Sequence, residues 1–271
     1  MVRPGPKADD TSGLARSPLF VASLGKGLKV LLAFNQHQRL RLSDVVRLTE
    51  LDKSAAQRFL HTLTALGFLR QDSVSKCYSL TPKVLRLASG FIHTNPLLQH
   101  ALRHLRDCNQ RSGESANLLV LDDIETVFVG RVQSSHPLDA HYAIGDRLPT
   151  YCTGGGLAIL AFLPPEEARA ILRRSELAQQ TPASMTDEDA LMRRLAEARA
   201  RGYVISNEEM YLGIMSVASA VLTSDGYPLA AVTIGAPTAR WTLATAERDL
   251  SPLVVQAVRS LSAELEGIDL F

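Results

Sequence analysis

A basic amphipathic segment runs from Lys53 to Gly67 and reads KSAAQRFLHTLTALG. Its apolar side chains recur at spacings of three and four, which predicts a helix with one buried face. The inward set is Ala56, Phe59, Leu60, Leu63 and Leu66. Ser54 stands three residues before Gln57, which is the spacing of a capping box, and Gly67 is the residue type that commonly follows a helix. We therefore expect a helix that begins near Ser54 and ends near Leu66.

The opposite face of this predicted helix carries polar and basic side chains, namely Lys53, Ser54, Gln57, Arg58 and His61. Arg and Lys can reach guanine edges or phosphates, Gln can pair with adenine, and Ser can bond a phosphate. A polar helix face is most often only a solvated surface. Because this one is concentrated on the first two turns, it favours insertion of the helix into the major groove of double-stranded DNA.

Two further helices are expected before the basic helix. Apolar spacing predicts the first over residues 22–34. A second is predicted over residues 44–49, with Ser43 as a suitable N-cap. Three helices of this length, with tight breaks between them, are typical of a helix-turn-helix domain.

A basic hairpin is expected directly after Gly67. Residues 68–71 and 76–80 predict two short strands around a turn at residues 72–75. Arg70 and Lys76 are then placed to touch backbone phosphates. The combination of three helices with this wing makes DNA binding the stronger interpretation of the first third of the chain.

Charge is divided unevenly along the chain. The first 95 residues carry a net charge of +8 and the remaining residues −7, although the formal total is only +1. A basic first third suggests contact with a polyanion, although charge also varies between domains for no functional reason.

Length and composition indicate a folded protein of about two domains. The chain has 271 residues, of which 46% are hydrophobic and 21% charged. No apolar run approaches the roughly 18–20 residues of a membrane span, and residues 1–17 lack the apolar stretch of a secretory signal. We therefore expect no membrane partner and a cytoplasmic location.

The predicted domains are a disordered arm at 1–17, a winged helix-turn-helix at 18–81, a helical linker at 82–112 and a second domain at 113–271.

The predicted linker is apolar on one side and is interrupted at Asn95-Pro96. It either connects the domains and offers a dimer surface, or it packs against its own domain. Beyond Gly113 the pattern predicts an α+β domain in which helices cover an antiparallel sheet. Strands are expected at 116–121, 126–132, 138–143, 203–206, 216–223 and 229–235, and helices at 153–163, 165–172, 187–201 and 246–265.

Three consecutive glycines, Gly154 to Gly156, stand directly before an apolar helix. Backbone N–H groups exposed at a positive helix end suit a carboxylate or another anion. The segment has neither the spacing of a phosphate-binding P-loop nor that of a dinucleotide fingerprint. The competing interpretation is that the glycines allow close packing of the helix on the sheet, and the residues alone leave both open.

Short motifs, in order from about Val21 to Leu265, resemble the IclR family of bacterial regulators. They are SLGKGL at 23–28, LDKS at 51–54, YSLT at 78–81, GDRLPTYCT at 145–153, GY at 202–203, NEE at 207–209 and Gly213. The segment at 145–153 is similar to the branch that controls aromatic-acid catabolism, including the β-ketoadipate pathway. Each motif is modest alone, but their order is specific.

The resemblance implies a winged helix-turn-helix, a helical linker and a GAF-like effector domain. It also implies homodimers or tetramers on partly palindromic DNA operators, and an effector that is an aromatic or other organic acid. By position, the effector pocket would include Gly156, Leu157, Ser206, Ser216, Thr233 and Gly235, with His141 and Tyr142 nearby. Family members often carry a basic residue where this chain has Leu157, an Arg where it has Met215 and an Asp where it has Ser206. A carboxylate would then rest on backbone N–H groups.

Other function classes remain as alternatives. Cys152 beside His141 could act as a nucleophile, but no third orienting residue stands out, so we expect no catalytic site. Cys77, Cys108 and Cys152 could form a redox or metal sensor, although an odd count without CxxC spacing argues against a disulfide framework or a zinc site. A regulator with a vestigial pocket is a third alternative. We expect no cofactor and no metal.

Overall fold

The computed structural model describes residues 14–136 and 142–268. The chain divides into two compact units, one ending at Thr94 and the other beginning at Asn95. Within the described ranges, no helix combines the length and apolar character needed to cross a bilayer.

The N-terminal unit consists of helices and a small hairpin. The helices are α1 (Ala22–Leu32), α2 (Leu42–Thr49) and α3 (Lys53–Ala65), and the hairpin pairs β1 (Leu69–Gln71) with β2 (Tyr78–Leu80). A 3₁₀ turn (Pro82–Val84) and α4 (Leu85–Thr94) follow. The core of the unit is small and apolar and consists of Val30, Phe34, Leu40, Val45, Ala56, Leu60, Leu63 and Leu69.

Helix caps in this unit differ from the two serine caps expected from the sequence. Asp52 is the N-cap of α3, and its Oδ1 accepts a hydrogen bond of 2.8 Å from the backbone N–H of Ala55. Ser54 therefore lies inside the first turn. Arg41 occupies the N-cap position of α2, and Asp44 Oδ2 accepts from its backbone N–H at 2.9 Å, so Ser43 is not the cap. In both helices a carboxylate accepts a hydrogen bond from a backbone N–H at the positive helix end, and it belongs to the N-cap residue in α3 and to the third helical residue in α2.

The C-terminal end of α3 agrees with the sequence prediction at Gly67 and differs from it at Leu66. Gly67 adopts a φ of +76°, the left-handed conformation that glycine tolerates at a helix end. Leu66, expected on the buried face, is 52% exposed because the helix ends one residue earlier.

The C-terminal unit is built on one antiparallel sheet with the strand order β5-β4-β3-β8-β7-β6. Its strands are β3 (Ala116–Asp122), β4 (Glu125–Val132), β5 (Arg147–Pro149), β6 (Val204–Asn207), β7 (Ile214–Leu222) and β8 (Pro228–Pro237). The short strand β5 was not expected from the sequence, and the strand expected at 138–143 lies largely outside the described residues.

Helices cover both faces of this sheet. Helix α5 (Pro96–Ser112) and the final helix α9 (Ser251–Leu265) pack on one face, and α6 (Gly154–Phe162), α7 (Pro165–Arg174) and α8 (Glu188–Arg201) lie on the other. The side chains of β8 alternate between the two cores, because Ala230 and Val232 face α9 whereas Ala231 faces α6. The α+β architecture with an antiparallel sheet is as predicted.

Helix α5 is part of the core of the C-terminal unit. Leu97, Ala101, Leu105 and Cys108 are buried against the sheet and α9. The second half of the segment predicted as a linker therefore packs against its own domain, which was one of the two alternatives. Asn95 caps the helix and Pro96 occupies its first turn, as the sequence indicates.

Helix α6 approaches the rest of its unit too closely for a side chain at its third residue. A Cβ on Gly156 would lie 2.3 Å from the carbonyl oxygen of Thr150. The neighbouring backbone cannot yield as the end of a flexible side chain could, so glycine is required at this position by packing.

We expect Gly156→Ala to destabilise the C-terminal unit by about 1–3 kcal/mol, as overpacking of a rigid core does. The free energy of unfolding would be measured in urea by the fluorescence of Trp241, the single tryptophan of the chain. Gly235→Ala is the matched control, because Gly235 lies in β8 of the same unit and the nearest atom to a Cβ there is 4.0 Å away. Equal stability of the two variants would contradict the packing role of Gly156.

Candidate nucleic-acid interface and ligand cavity

The polar face expected on the basic helix is present on α3. Ser54, Gln57, Arg58 and His61 share one exposed stripe on the first turns, and Lys53 lies at its edge. The opposite face is anchored in the core by Ala56, Leu60 and Leu63. The stripe is therefore presented by a helix whose orientation the core determines.

The hairpin places two further cations at the surface of the same unit. Arg70 and Lys76 are both exposed, and Arg70 Nε donates to Ser79 Oγ at 3.1 Å. The turn is closed by Asp72, whose carboxylate accepts from the backbone N–H and the hydroxyl of Ser75 at 2.7 Å each. These hydrogen bonds lower the pKa of Asp72 below its ordinary value.

A basic groove beside the hairpin was not singled out from the sequence. The backbone of Leu40 pairs with that of Tyr78 through two hydrogen bonds of 3.0 and 2.8 Å, which joins the segment after α1 to the hairpin. The groove is lined by Phe34 to Arg39 together with Arg70, Ser79 and Leu80. The signal available in the sequence was the presence of two arginines, Arg39 and Arg41, between the first two helices.

A cavity of about 600 Å³, counted out to its mouth, lies in the C-terminal unit between the start of α6 and the sheet. Four of the six residues expected in the pocket line it: Ser206, Ser216, Thr233 and Gly235. Gly154, Gly155 and Tyr142 line it as well. His141 lies outside the described residues.

Gly156 and Leu157 are not among the lining residues, which corrects the expectation for both. Gly156 faces the backbone of Thr150, and Leu157 is fully buried in the core between α6 and its neighbouring helices. The two preceding glycines line the cavity instead, one and two residues earlier on the helix. The order of residues in a motif did not reveal which side of the first helical turn faces the sheet.

The floor of the cavity carries a row of polar side chains across three strands. Arg131 on β4, Asn117 on β3 and Thr233 on β8 are register partners. Arg131 Nη1 donates to Asn117 Oδ1 at 2.7 Å, and Asn117 Nδ2 donates to Thr233 Oγ1 at 3.2 Å. Arg131 and Asn117 were missed from the sequence, because a polar residue near the end of an apolar strand carries no indication of its distant neighbours.

Aromatic and apolar side chains form the walls. The rings of Phe128 and Tyr142 stack with centroids 4.6 Å apart and planes at 19°. Tyr211 lies 6.3 Å from Tyr142, tilted by 44°. The guanidinium of Arg131 lies 5.8 Å from the centroid of the Tyr142 ring. The cavity therefore combines aromatic walls with a cationic side chain.

Comparison with known proteins identifies both units. Residues 23–73 match the IclR helix-turn-helix domain, and residues 90–263 match the bacterial transcriptional regulator IclR C-terminal domain. The chain belongs to the IclR family of bacterial transcriptional regulators. The resemblance seen in its motifs is thereby confirmed.

Relatives of this IclR-family regulator cover nearly its whole length. The Pca regulon regulatory protein of Pseudomonas putida is 31% identical over 252 residues, which is 92% of this chain and 86% of that protein. A transcriptional regulator from Rhodococcus sp. RHA1 has a structure with a TM-score of 0.80 and 33% identity over 91% of this chain and 98% of that one. An IclR homologue from Microbacterium hydrocarbonoxydans, solved in complex with 4-hydroxybenzoate, has a TM-score of 0.75 and 25% identity, covering 90% of this chain and 98% of that one.

The cysteines of this regulator are reduced thiols with different accessibility. Cys152 is fully buried, its Sγ lies 3.5 Å from Met210 Sδ, and burial raises its pKa to about 12. Burial likewise raises the pKa of Cys108 to about 11. A nucleophilic or redox-active cysteine needs thiolate character at neutral pH, which both environments oppose. They therefore support neither the cysteine-sensor alternative nor catalysis by Cys152.

We expect iodoacetamide at pH 7.5 to label Cys77, which is partly exposed, long before Cys108 or Cys152. Fewer than roughly one in 10,000 molecules carries the Cys152 thiolate at that pH, because the pH lies more than four units below the raised pKa. Mass spectrometry of the labelled protein measures the three rates, and labelling in denaturant is the control. Cys152 reacting as fast in the folded as in the unfolded chain would contradict this expectation.

Proposed function

We propose that the chain is a ligand-responsive transcription factor that reads a partly palindromic operator with α3 and senses an organic acid in the cavity of its C-terminal unit. The winged helix-turn-helix comprises residues 18–81, and the effector domain residues 113–271 with α5 packed against them. One observation carries the DNA-binding part, which is the exposed polar stripe on a helix whose other face is buried in the core.

Seven side chains are proposed to contact DNA. Gln57 and Arg58 lie on the first turns of α3, where a recognition helix meets base edges. Arg70 and Lys76 on the hairpin suit contacts to phosphates, which position the domain without reading sequence. Lys53, Ser54 and His61 complete the surface at the ends of the stripe.

Arg58→Ala should weaken operator binding by roughly 1–3 kcal/mol, if Arg58 reads a base. Gel-shift titration at fixed salt measures the affinity. Arg106→Ala is the matched control, because Arg106 is also exposed but lies on α5 of the C-terminal unit. Wild-type affinity of Arg58→Ala would contradict a role for Arg58 in recognition.

The effector is proposed to be an aromatic or other organic acid. Aromatic walls and buried polar groups at one floor are typical of a small-molecule site. The homologue from Microbacterium hydrocarbonoxydans was solved with 4-hydroxybenzoate, which makes this acid a suitable first probe. Ser206, Ser216, Thr233 and Gly235 are the predicted pocket residues that line the cavity.

A homodimer or tetramer is proposed for the assembly. Leu24, Leu28 and Leu32 project at successive turns of α1 and are 62%, 49% and 63% exposed. On α4, Leu85, Leu87 and Phe91 are also exposed. Apolar stripes of this size mark surfaces that are covered by a partner. Sedimentation equilibrium at the mass of one chain, 29.5 kDa, would contradict this proposal.

The response to the acid follows from linkage. An acid that binds one arrangement of the effector domains more tightly shifts the population of that arrangement, and residues 82–112 transmit the change to the paired recognition helices. The same coupling requires DNA to change the affinity for the acid by an equal factor.

The experiment that tests this function is a footprint on the DNA upstream of the regulator's own gene, with and without 4-hydroxybenzoate and related acids. We expect a protected site whose occupancy changes with at least one acid, typically by a factor of about 5–150 in affinity. A site that no acid alters would favour the vestigial-pocket alternative. The absence of any salt-sensitive affinity for duplex DNA would overturn the function as a whole.

A further inference from the structure

We propose that Arg131 binds the carboxylate of an aromatic acid in this cavity and thereby determines the charge of the effector. This inference rests on the proposed function, since it assigns a role within the same effector site. It moves the anion contact from the start of α6, where the glycines suggested it, to a side chain of the sheet.

The glycines at the start of α6 are accounted for by packing. A Cβ on Gly154 would lie 2.4 Å from Ser216 Oγ, and one on Gly155 would lie 3.2 Å from both Leu119 and Thr233. The glycines therefore no longer single out an anion site, and another group must identify where the acid's charge lies.

Arg131 has the chemistry for this contact. Among the described residues that line the cavity, it is the charged one. A guanidinium is planar and presents its donors as a fork that matches both oxygens of a carboxylate, which makes it well suited to bidentate recognition of an acid.

Hydrogen bonds orient the guanidinium within the floor. An arginine can only donate, so the amide of Asn117 must turn its oxygen toward Arg131 and its nitrogen toward Thr233. Arg131 Nη2 also donates to Ser115 Oγ at 3.3 Å. Asn117, Thr233 and Ser115 are themselves buried, so the row is held in one arrangement before any ligand arrives.

The size of the cavity is suited to a small effector. Its volume of about 600 Å³, counted out to its mouth, lies within the range of small-molecule sites, and a benzene ring with one carboxylate fits within it. The Tyr142 ring beside Arg131 and the tilted Tyr211 ring provide the aromatic surface for it.

The experiment compares benzoate with benzamide, its neutral counterpart of the same shape. Binding to the full chain would be measured by ligand-observed NMR, which detects weak complexes, for wild type, Arg131→Met and Arg131→Lys. We expect wild type to bind benzoate more tightly than benzamide. Arg131→Met should weaken benzoate by about 10- to 100-fold, as loss of a charged hydrogen bond does, and leave benzamide within about threefold.

Two further variants serve as controls for this experiment. Arg131→Lys keeps the charge but not the planar fork, so its benzoate affinity should lie between those of wild type and Arg131→Met. If Arg131→Met folds poorly, the comparison of Arg131→Lys with wild type still tests the role of Arg131. Arg147→Met removes the same side chain from the neighbouring strand β5, where Arg147 binds Glu125 and Asp122 outside the cavity, and it should bind benzoate like wild type.

The outcomes separate this inference from the function on which it rests. Unchanged benzoate affinity in Arg131→Met, or equal losses for benzoate and benzamide in both Arg131 variants, would overturn the role of Arg131 alone. If benzamide bound wild type as tightly as benzoate does, the role of Arg131 would also be overturned. Wild type that binds neither compound nor 4-hydroxybenzoate would overturn the proposed effector class, and this inference with it.

Discussion

The close approach of α6 to the sheet is the constraint on which the C-terminal unit depends. The helix is apolar on all sides and is buried along nearly its whole length, so it must touch backbone or side chains everywhere. Three glycines permit this at its start, where a Cβ would collide with Thr150, Ser216 or Thr233. The cavity lies beside these contacts. Its wall on the side of the sheet is formed by side chains of β3, β4, β7 and β8.

Buried ion pairs hold the segments that complete the cavity. Arg194 of α8 donates to both carboxylate oxygens of Glu209 at 2.6 and 2.7 Å, and Glu209 also accepts from the backbone N–H of Asn207. Met210 and Tyr211, the next two residues, line the cavity. Arg240 and the Trp241 indole bind the buried carboxylate of Glu114, directly before β3. Buried ion pairs fix the positions of these segments more than they stabilise the folded state, because the cost of desolvating both charges offsets much of their attraction.

The two units divide the charge of the molecule according to their partners. The basic unit presents its cations outward from a small apolar core, which suits a polyanionic surface. The acidic remainder uses many of its arginines in ion pairs, such as Arg169 with Glu188 and Arg103 with Glu264. In Glu264 the neighbouring Arg103 and His104 more than offset the effect of burial and lower its pKa to about 2.

The sequence by itself determined the order of the elements, the exposed stripe of α3, the hairpin and the two-faced sheet, because these follow from local periodicity, turn residues and charge. Only the tertiary structure decided which glycines face the cavity, that α5 belongs to a core, that Asp52 rather than Ser54 caps α3, and that Arg131, Asn117 and Thr233 form one row. The last depends on strand register between segments more than 100 residues apart along the chain, as for Asn117 and Thr233. Periodicity cannot encode such pairing, since any register of the same parity buries the same side chains.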